Sequence, residues 1–221
     1  MKDIAVIFDL DGVIFDSERA CLASWREVAK KYYLENIDEV FRKCIGTNKY
    51  QTREIVEKEY APKFGVGFSD TVLAEGSIIF HQNYDNGRLP LKKGVPEIFD
   101  FLKERNIPMA VASSTRRAVV CEELEAAGLL SYFEKIIGGD AVKISKPNPE
   151  IYLIACKEMN VQPQNAYAVE DSYNGVRAAH AAGMHALMVP DLIAPDDEMR
   201  SLSEYICEDL LELRSVFEQI L

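Results

Sequence analysis

Two aspartates, Asp9 and Asp11, stand one residue apart directly after the apolar run Ile4-Ala5-Val6-Ile7-Phe8. Like charges at the end of a buried segment repel each other and lose hydration. Either a solvated turn or a calcium-loop fragment relieves them, or they hold a cation and do chemistry. Three further stretches carry reactive or charged groups: Ser113-Ser114-Thr115, Lys146-Pro147 and Glu170-Asp171-Ser172. Taken singly, the two serines read as helix N-caps, Lys146 as a surface lysine, and Glu170-Asp171-Ser172 as a capped helix start. Taken together, they supply carboxylates, hydroxyls at a helix start and a lysine.

The elements that would position these groups can be read from hydrophobic pattern. Short apolar runs at Ile4 to Phe8, Ile107 to Ala112, Lys135 to Ile137, Ala166 to Val169 and His185 to Val189 predict buried parallel strands. Helical patterns separate most of them. Val95, Ile98, Phe99 and Leu102 share a face before the second strand. Val119, Val120, Leu124 and Ala127 do so after it, closed by Gly128 at a C′ position. Pro149 opens another helix in its first turn, with Ile151, Ile154 and Ala155 facing inward. Strands alternating with helices give an α/β fold, a doubly wound parallel sheet with right-handed crossovers. All four stretches then fall at or just beyond the carboxyl ends of strands, the edge where such sheets bind ligands.

One interval breaks the alternation. Residues 16–88 show no strand pattern. Cys21, Trp25, Val28, Ala29 and Tyr32 mark a long amphipathic helix, with Asp16 or Ser17 as its cap and Glu18 in its first turn. Helical stretches follow at Thr52 to Tyr60 and Ser69 to Tyr84. The expected organisation is a core of residues 1–15 and 89–221 with a helical insertion, 16–88, that leaves through Asn86-Gly87-Arg88-Leu89-Pro90.

Composition narrows the function classes. The 221 residues are 48% hydrophobic and 28% charged, an ordinary globular balance. A net charge of −11 argues against a nucleic-acid or anionic-membrane partner. No run approaches the roughly 18 uncharged apolar residues of a membrane span. The start Met1-Lys2-Asp3 is not that of a secretory signal. Five scattered cysteines, Cys21, Cys44, Cys121, Cys156 and Cys207, lack paired spacing and read as reduced packing residues of a cytoplasmic protein. The histidines, His81, His180 and His185, belong to no motif.

The stretches FDLDGVIFDSE, VASST, SKPNPEIY and VEDSYNG, in this order and spacing, resemble the haloacid dehalogenase superfamily, in particular its branch of sugar-phosphate phosphatases and β-phosphoglucomutase. The resemblance implies a Rossmann-like core, a helical cap that closes over the active site, and phosphoryl transfer. Asp9 matches the nucleophile that forms an aspartyl-phosphate, and Asp11 the general acid/base. Mg²⁺ is the implied cofactor, held by Asp9, the backbone carbonyl of Asp11, and Asp171, with Glu170 a ligand or an acceptor just behind. Lys146 matches the residue that screens Asp9 and holds a phosphate oxygen. Ser113 matches the phosphate-binding hydroxyl, Ser114 a backbone N–H donor, and Gly12 the sharp turn beside the phosphate.

Within the superfamily the acid at Asp11 favours phosphoryl transfer, because a departing halide needs no proton. The mutase pattern has a histidine where Cys21 stands and lysines where Ile45 and Glu75 stand, with Lys49 in the place of an arginine. These departures favour a hydrolase over a mutase, with water reaching the aspartyl-phosphate. A non-enzyme alternative, a phosphoacceptor signalling domain, would lack both the helical insertion and the second aspartate. The expectation is therefore a monomeric Mg²⁺-dependent phosphatase acting on a small phosphate ester, such as a sugar or polyol phosphate.

Overall fold

The computed structural model describes residues 4–45, 47 and 49–221; the Met1-Lys2-Asp3 start lies outside them. The chain runs β1 (Ala5–Phe8), α1 (Ser17–Tyr32), α2 (Ile37–Cys44), α3 (Lys49–Phe64), α4 (Phe68–Tyr84), α5 (Val95–Glu104), β2 (Met109–Ala112) and α6 (Arg117–Ala126). It continues through β3 (Phe133–Ile137), α7 (Glu150–Met159), β4 (Ala166–Glu170), α8 (Tyr173–Ala181), β5 (His185–Met188), α9 (Asp197–Leu202), β6 (Tyr205–Ile206) and α10 (Leu210–Ile220). It divides into two compact units, Met1–Asp16 with Leu91–Leu221, and Ser17–Pro90. The dividing points lie one and two residues beyond those read from the sequence. No described helix is long and apolar enough to cross a membrane.

The first unit holds a six-stranded sheet in the order β3-β2-β1-β4-β5-β6, every neighbouring pair parallel. The order reverses on either side of β1. Such a reversal opens a crevice at the carboxyl ends of the strands, because the crossovers diverge to opposite faces.

Period-two alternation sets what each face does. On one face small residues, Ala5, Ala110, Ala112, Ala166 and Ala168, let α7 and α8 approach closely through Ile151, Tyr152, Met159 and Val176. On the other, aromatic residues fill a wider gap: Phe8 meets Phe99 edge-on at 5.1 Å, and Phe99 meets Phe133 at 5.2 Å. α5 completes this side with Ile98 and Leu102, fully buried. It starts at Gly94, whose φ of +92° and close approach to Leu211 N (2.7 Å from an added Cβ) leave room only for glycine. α6 ends as read, with Gly128 at φ +73° and its N–H on the Glu125 carbonyl.

The second unit is helical. α1 buries Trp25, Val28 and Ala29, and Trp25 packs edge-on against Phe41 of α2 at 5.1 Å. Ser17 is the first residue of α1, and its hydroxyl has no hydrogen-bond partner, so it does not act as a cap. Glu57 of α3 receives the N–H groups of Gly67 and Ser69, joining α3 to the start of α4. Pro149 immediately precedes α7 rather than lying in its first turn. Of the five cysteines none is bonded to another, and Cys44, Cys156 and Cys207 are buried.

Candidate active site

Asp9 follows β1 immediately, and its N–H donates to the Val169 carbonyl of β4 at 2.9 Å. That bond fixes the aspartate at the point where the strand order reverses. The side chain is buried. Glu170, the last residue of β4, has no solvent exposure, and Asp171 beside it is also buried. Carboxylate oxygens of Asp9, Glu170 and Asp171 all lie within 4.8 Å of one another.

Lys146 offsets part of this charge. Its ammonium donates to Asp9 Oδ1 at 2.7 Å, to Glu170 Oε1 at 2.6 Å and to the Ala112 carbonyl at 3.0 Å, which occupies all three of its protons. The lysine reaches inward from the loop before α7. Glu150 pins that loop by accepting from the N–H groups of Lys143 (3.0 Å) and Ile144 (3.2 Å).

Burial pushes the Asp9 carboxyl up, to about 7, with Lys146 opposing and the charges of Glu170 and Asp11 adding to the rise. Burial alone would lower the Lys146 ammonium, but Asp9 and Glu170 outweigh it and raise it. Three carboxylates against one ammonium leave an excess of negative charge when all are ionised. An all-oxygen set with that excess fits a hard divalent cation such as Mg²⁺, whose charge would hold Asp9 ionised.

The remaining residues expected from the sequence surround this cluster within the first unit. Asp11 lies on the turn after Asp9, half-exposed, with Thr115 Oγ1 donating to its Oδ2 at 3.0 Å. Its carboxylate is not among the oxygens clustered between Asp9, Glu170 and Asp171. Gly12 has φ +76°, and a Cβ there would lie 2.1 Å from Asp171 Oδ2. Any side chain at residue 12 would therefore displace the acid. Ser113 is fully buried after β2, its N–H on the Ile137 carbonyl and its Oγ accepting the Thr115 N–H at 3.0 Å. Ser114 is exposed. The serines do not cap a helix: α6 begins at Arg117 and Arg116 holds the cap position, so Ser113 to Thr115 form a turn ahead of it.

Three residues important to this geometry were not singled out by sequence. Tyr152 is fully buried and donates its hydroxyl to Glu170 Oε1 at 2.6 Å. Burial raises its own ionisation far above the ordinary phenol value, with the Glu170 charge next in effect. Gly175, at the first turn of α8, stands so close to Glu170 that a Cβ would lie 1.9 Å from its Cδ. Thr115 is the third, named within the stretch Ser113-Ser114-Thr115 but given no role of its own there. Tyr152 and Gly175 belong to the quoted stretches SKPNPEIY and VEDSYNG, but their spacing alone gave no sign that both act on Glu170.

In the helical unit, Glu75 accepts from Lys31 Nζ at 2.8 Å and from the Tyr32 hydroxyl at 2.6 Å. Its charge is thus compensated locally. Glu75 therefore gives less ground against a second phosphate than its type suggests.

A family model described as haloacid dehalogenase-like hydrolase matches residues 6–189. The chain is 33% identical over 184 residues to a phosphorylated carbohydrates phosphatase from Thermotoga maritima, covering 83% of each. It is 27% identical to the β-phosphoglucomutase of Bacillus subtilis, covering 94% of each. It resembles the crystal structure of a HAD family hydrolase from Deinococcus radiodurans R1, with bound phosphate and sodium, at a TM-score of 0.80 and 25% identity. That match covers 97% of this chain and 95% of the other.

Proposed function

The chain belongs to the haloacid dehalogenase-like hydrolase family, and on that footing we propose that this phosphatase cleaves a small sugar or polyol phosphate through an aspartyl-phosphate on Asp9. The observation that carries this reading is the buried Asp9–Lys146–Glu170 arrangement at the reversal of the sheet, with a second aspartate two residues along the chain.

Asp9 attacks phosphorus. The bond to the leaving oxygen breaks, and that oxygen takes a proton from Asp11. Asp11, now a carboxylate, next accepts a proton from water as the water attacks phosphorus. The bond to Asp9 breaks, and inorganic phosphate departs. Asp9, the Asp11 carbonyl and Asp171 would hold Mg²⁺, with Glu170 a ligand or an acceptor behind it. When bound, Mg²⁺ neutralises the repulsion between carboxylate and phosphate. Lys146 keeps Asp9 oriented and offers positive charge to a phosphate oxygen. Ser113 and the Ser114 N–H bind the other phosphate oxygens. In this reading the helical unit serves as the cap and selects the leaving group.

Support for hydrolysis over the mutase reaction comes from Cys21, a poor hydrogen-bonding substitute for histidine, and from the higher identity to the phosphatase. The 27% likeness to β-phosphoglucomutase along 94% of both chains keeps the mutase as the second reading. The test is a phosphate-release screen with Mg²⁺ over sugar phosphates, polyol phosphates and nucleotides. It includes β-glucose 1-phosphate with a trace of the 1,6-bisphosphate. Inorganic phosphate should be the main product. Glucose 6-phosphate accumulating much faster than phosphate would replace the hydrolase with the mutase.

A further inference from the structure

We infer that Thr115 is a positioning residue for Asp11, holding one carboxylate oxygen so that the other carries the proton to the leaving group. The inference rests on the phosphatase reading. Its basis is the hydrogen bond from Thr115 Oγ1 to Asp11 Oδ2, 3.0 Å long. With the transferable proton on Oδ1, Oδ2 is left as an acceptor, so the Thr115 hydroxyl donates to it.

Both ends of this contact are fixed. The Thr115 N–H is held by Ser113 Oγ at 3.0 Å, and the Thr115 carbonyl by the Gly139 N–H at 2.9 Å. Gly139 is itself pressed against the Ser114 carbonyl, where an added Cβ would stand 2.1 Å away. A β-branched side chain on such a backbone has few χ1 choices, which aims the hydroxyl. On the other side, the Gly12 N–H bonds to the Phe15 carbonyl at 2.9 Å and closes the turn that carries Asp11.

Asp11 is half-exposed, unlike the buried Asp9, and so depends on a partner for its orientation. A general acid works only if its proton lies within reach of the leaving oxygen, and side-chain rotation would carry it away. The same hydroxyl that anchors Ser113's turn to Asp11 thus links the phosphate-binding loop to the proton donor.

The contribution should depend on how much the leaving group needs a proton. p-Nitrophenolate leaves unprotonated with ease; phenolate leaves less readily. The experiment compares the full-length protein with Thr115→Val and Thr115→Ser, with Mg²⁺, on phenyl phosphate and p-nitrophenyl phosphate. Thr115→Val should lower kcat for phenyl phosphate roughly ten- to a hundred-fold, the range for losing a hydrogen bond to a group that becomes charged as it gives up its proton, with KM unchanged. p-Nitrophenyl phosphate should be affected far less, and Thr115→Ser should restore both. Thr115→Ala gives the same loss of the donor if the valine variant does not fold. Equal losses on the two esters, a change in KM alone, or no change would overturn the inference while the phosphatase reading stood. A wild-type chain inactive on both esters and in the phosphate-release screen would overturn both.

Discussion

Replacing Tyr152 with phenylalanine removes one oxygen atom from the interior and leaves the ring in place. That oxygen donates to Glu170 Oε1 at 2.6 Å, and neither residue has any solvent exposure. A hydrogen bond to a charged group contributes about 1.5–3 kcal/mol. Glu170 would not be orphaned, because Lys146 Nζ reaches the same oxygen at 2.6 Å and Ser172 Oγ bonds Oε2 at 3.2 Å. The packing of Lys146 over the ring, 5.0 Å from its centre, would persist with phenylalanine. The lower part of the range therefore applies, about 1.5–2 kcal/mol. At roughly 2–4 °C per kcal/mol for a chain of this size, the melting temperature should fall by about 3–8 °C in scanning calorimetry. The same loss removes one of the three side-chain hydrogen bonds that orient Glu170 in the carboxylate cluster. The Mg²⁺ concentration for half-maximal activity should rise about 10–100-fold, the effect of removing a group that orients a ligand. An unchanged melting temperature would refute the energetic reasoning. A lowered one with an unchanged Mg²⁺ requirement would show that Tyr152 braces the fold without bearing on metal binding.

Asp9→Asn should abolish both turnover and the phosphoenzyme while the circular dichroism spectrum stays native; activity above a few per cent of wild type would remove Asp9 from its role. Asp11→Asn should slow phosphoenzyme formation roughly 10²–10⁴-fold, read by rapid quench with an unactivated phosphate ester. Chelation should stop phosphate release and Mg²⁺ restore it, whereas Ca²⁺, with a larger and looser shell, should inhibit; full activity after exhaustive chelation would refute the metal site. Asp209 caps α10 by accepting from Leu211 N at 2.9 Å and Glu212 N at 3.0 Å, so Asp209→Ala should cost about 1 kcal/mol in urea unfolding at neutral pH. Lys93, with the two N–H groups also contributing, holds the Asp209 carboxyl below its usual 3.8. Its folded value being the lower, the pH-dependent part of this stabilisation is present above 3.8 and disappears as pH falls through the folded value. The wild-type and variant stability curves should therefore converge in acid, and a gap that stays constant would refute the assignment.

The fold class and the gathering of the acidic residues were legible in the sequence; several smaller elements and supports were not. Asp9, Glu170 and Asp171 are brought together because each sits at or next to a strand end; Lys146, nine residues beyond the end of β3 and not at a strand end as its stretch was expected to be, reaches them from the loop before α7. Apolar runs locate strand ends well. β1 to β5 were visible for that reason, with edges misplaced by one or two residues. β6 was not: Tyr205–Ile206 is two residues long, lies at the sheet edge and is half-exposed, so it has no apolar run to reveal it. α2 was overlooked although Ile37, Val40, Phe41 and Cys44 form a buried face, because eight residues offer little periodicity to detect. The supports around Glu170 escaped for another reason. Tyr152 lies 18 residues before it in the chain and meets it only through the packing of α7 against the sheet. Gly175 acts by lacking a side chain, which no residue-type pattern announces.

The two passages of the chain between the units lie side by side. Phe15 bridges to Leu91 in antiparallel fashion, and the Lys92 N–H bonds to the Ile14 carbonyl at 2.9 Å. Seen from the sheet, the 74 residues from Ser17 to Pro90 are thus a single long loop whose ends already meet as a hairpin would. Closing a flexible loop costs only slowly more as it lengthens, and here the closure is made by backbone hydrogen bonds outside the insert. The insert can therefore diverge in length and sequence, or be exchanged wholesale, without moving the strand that carries Asp9. Recombination at this doorway would exchange the helical unit while the sheet keeps its carboxylate cluster.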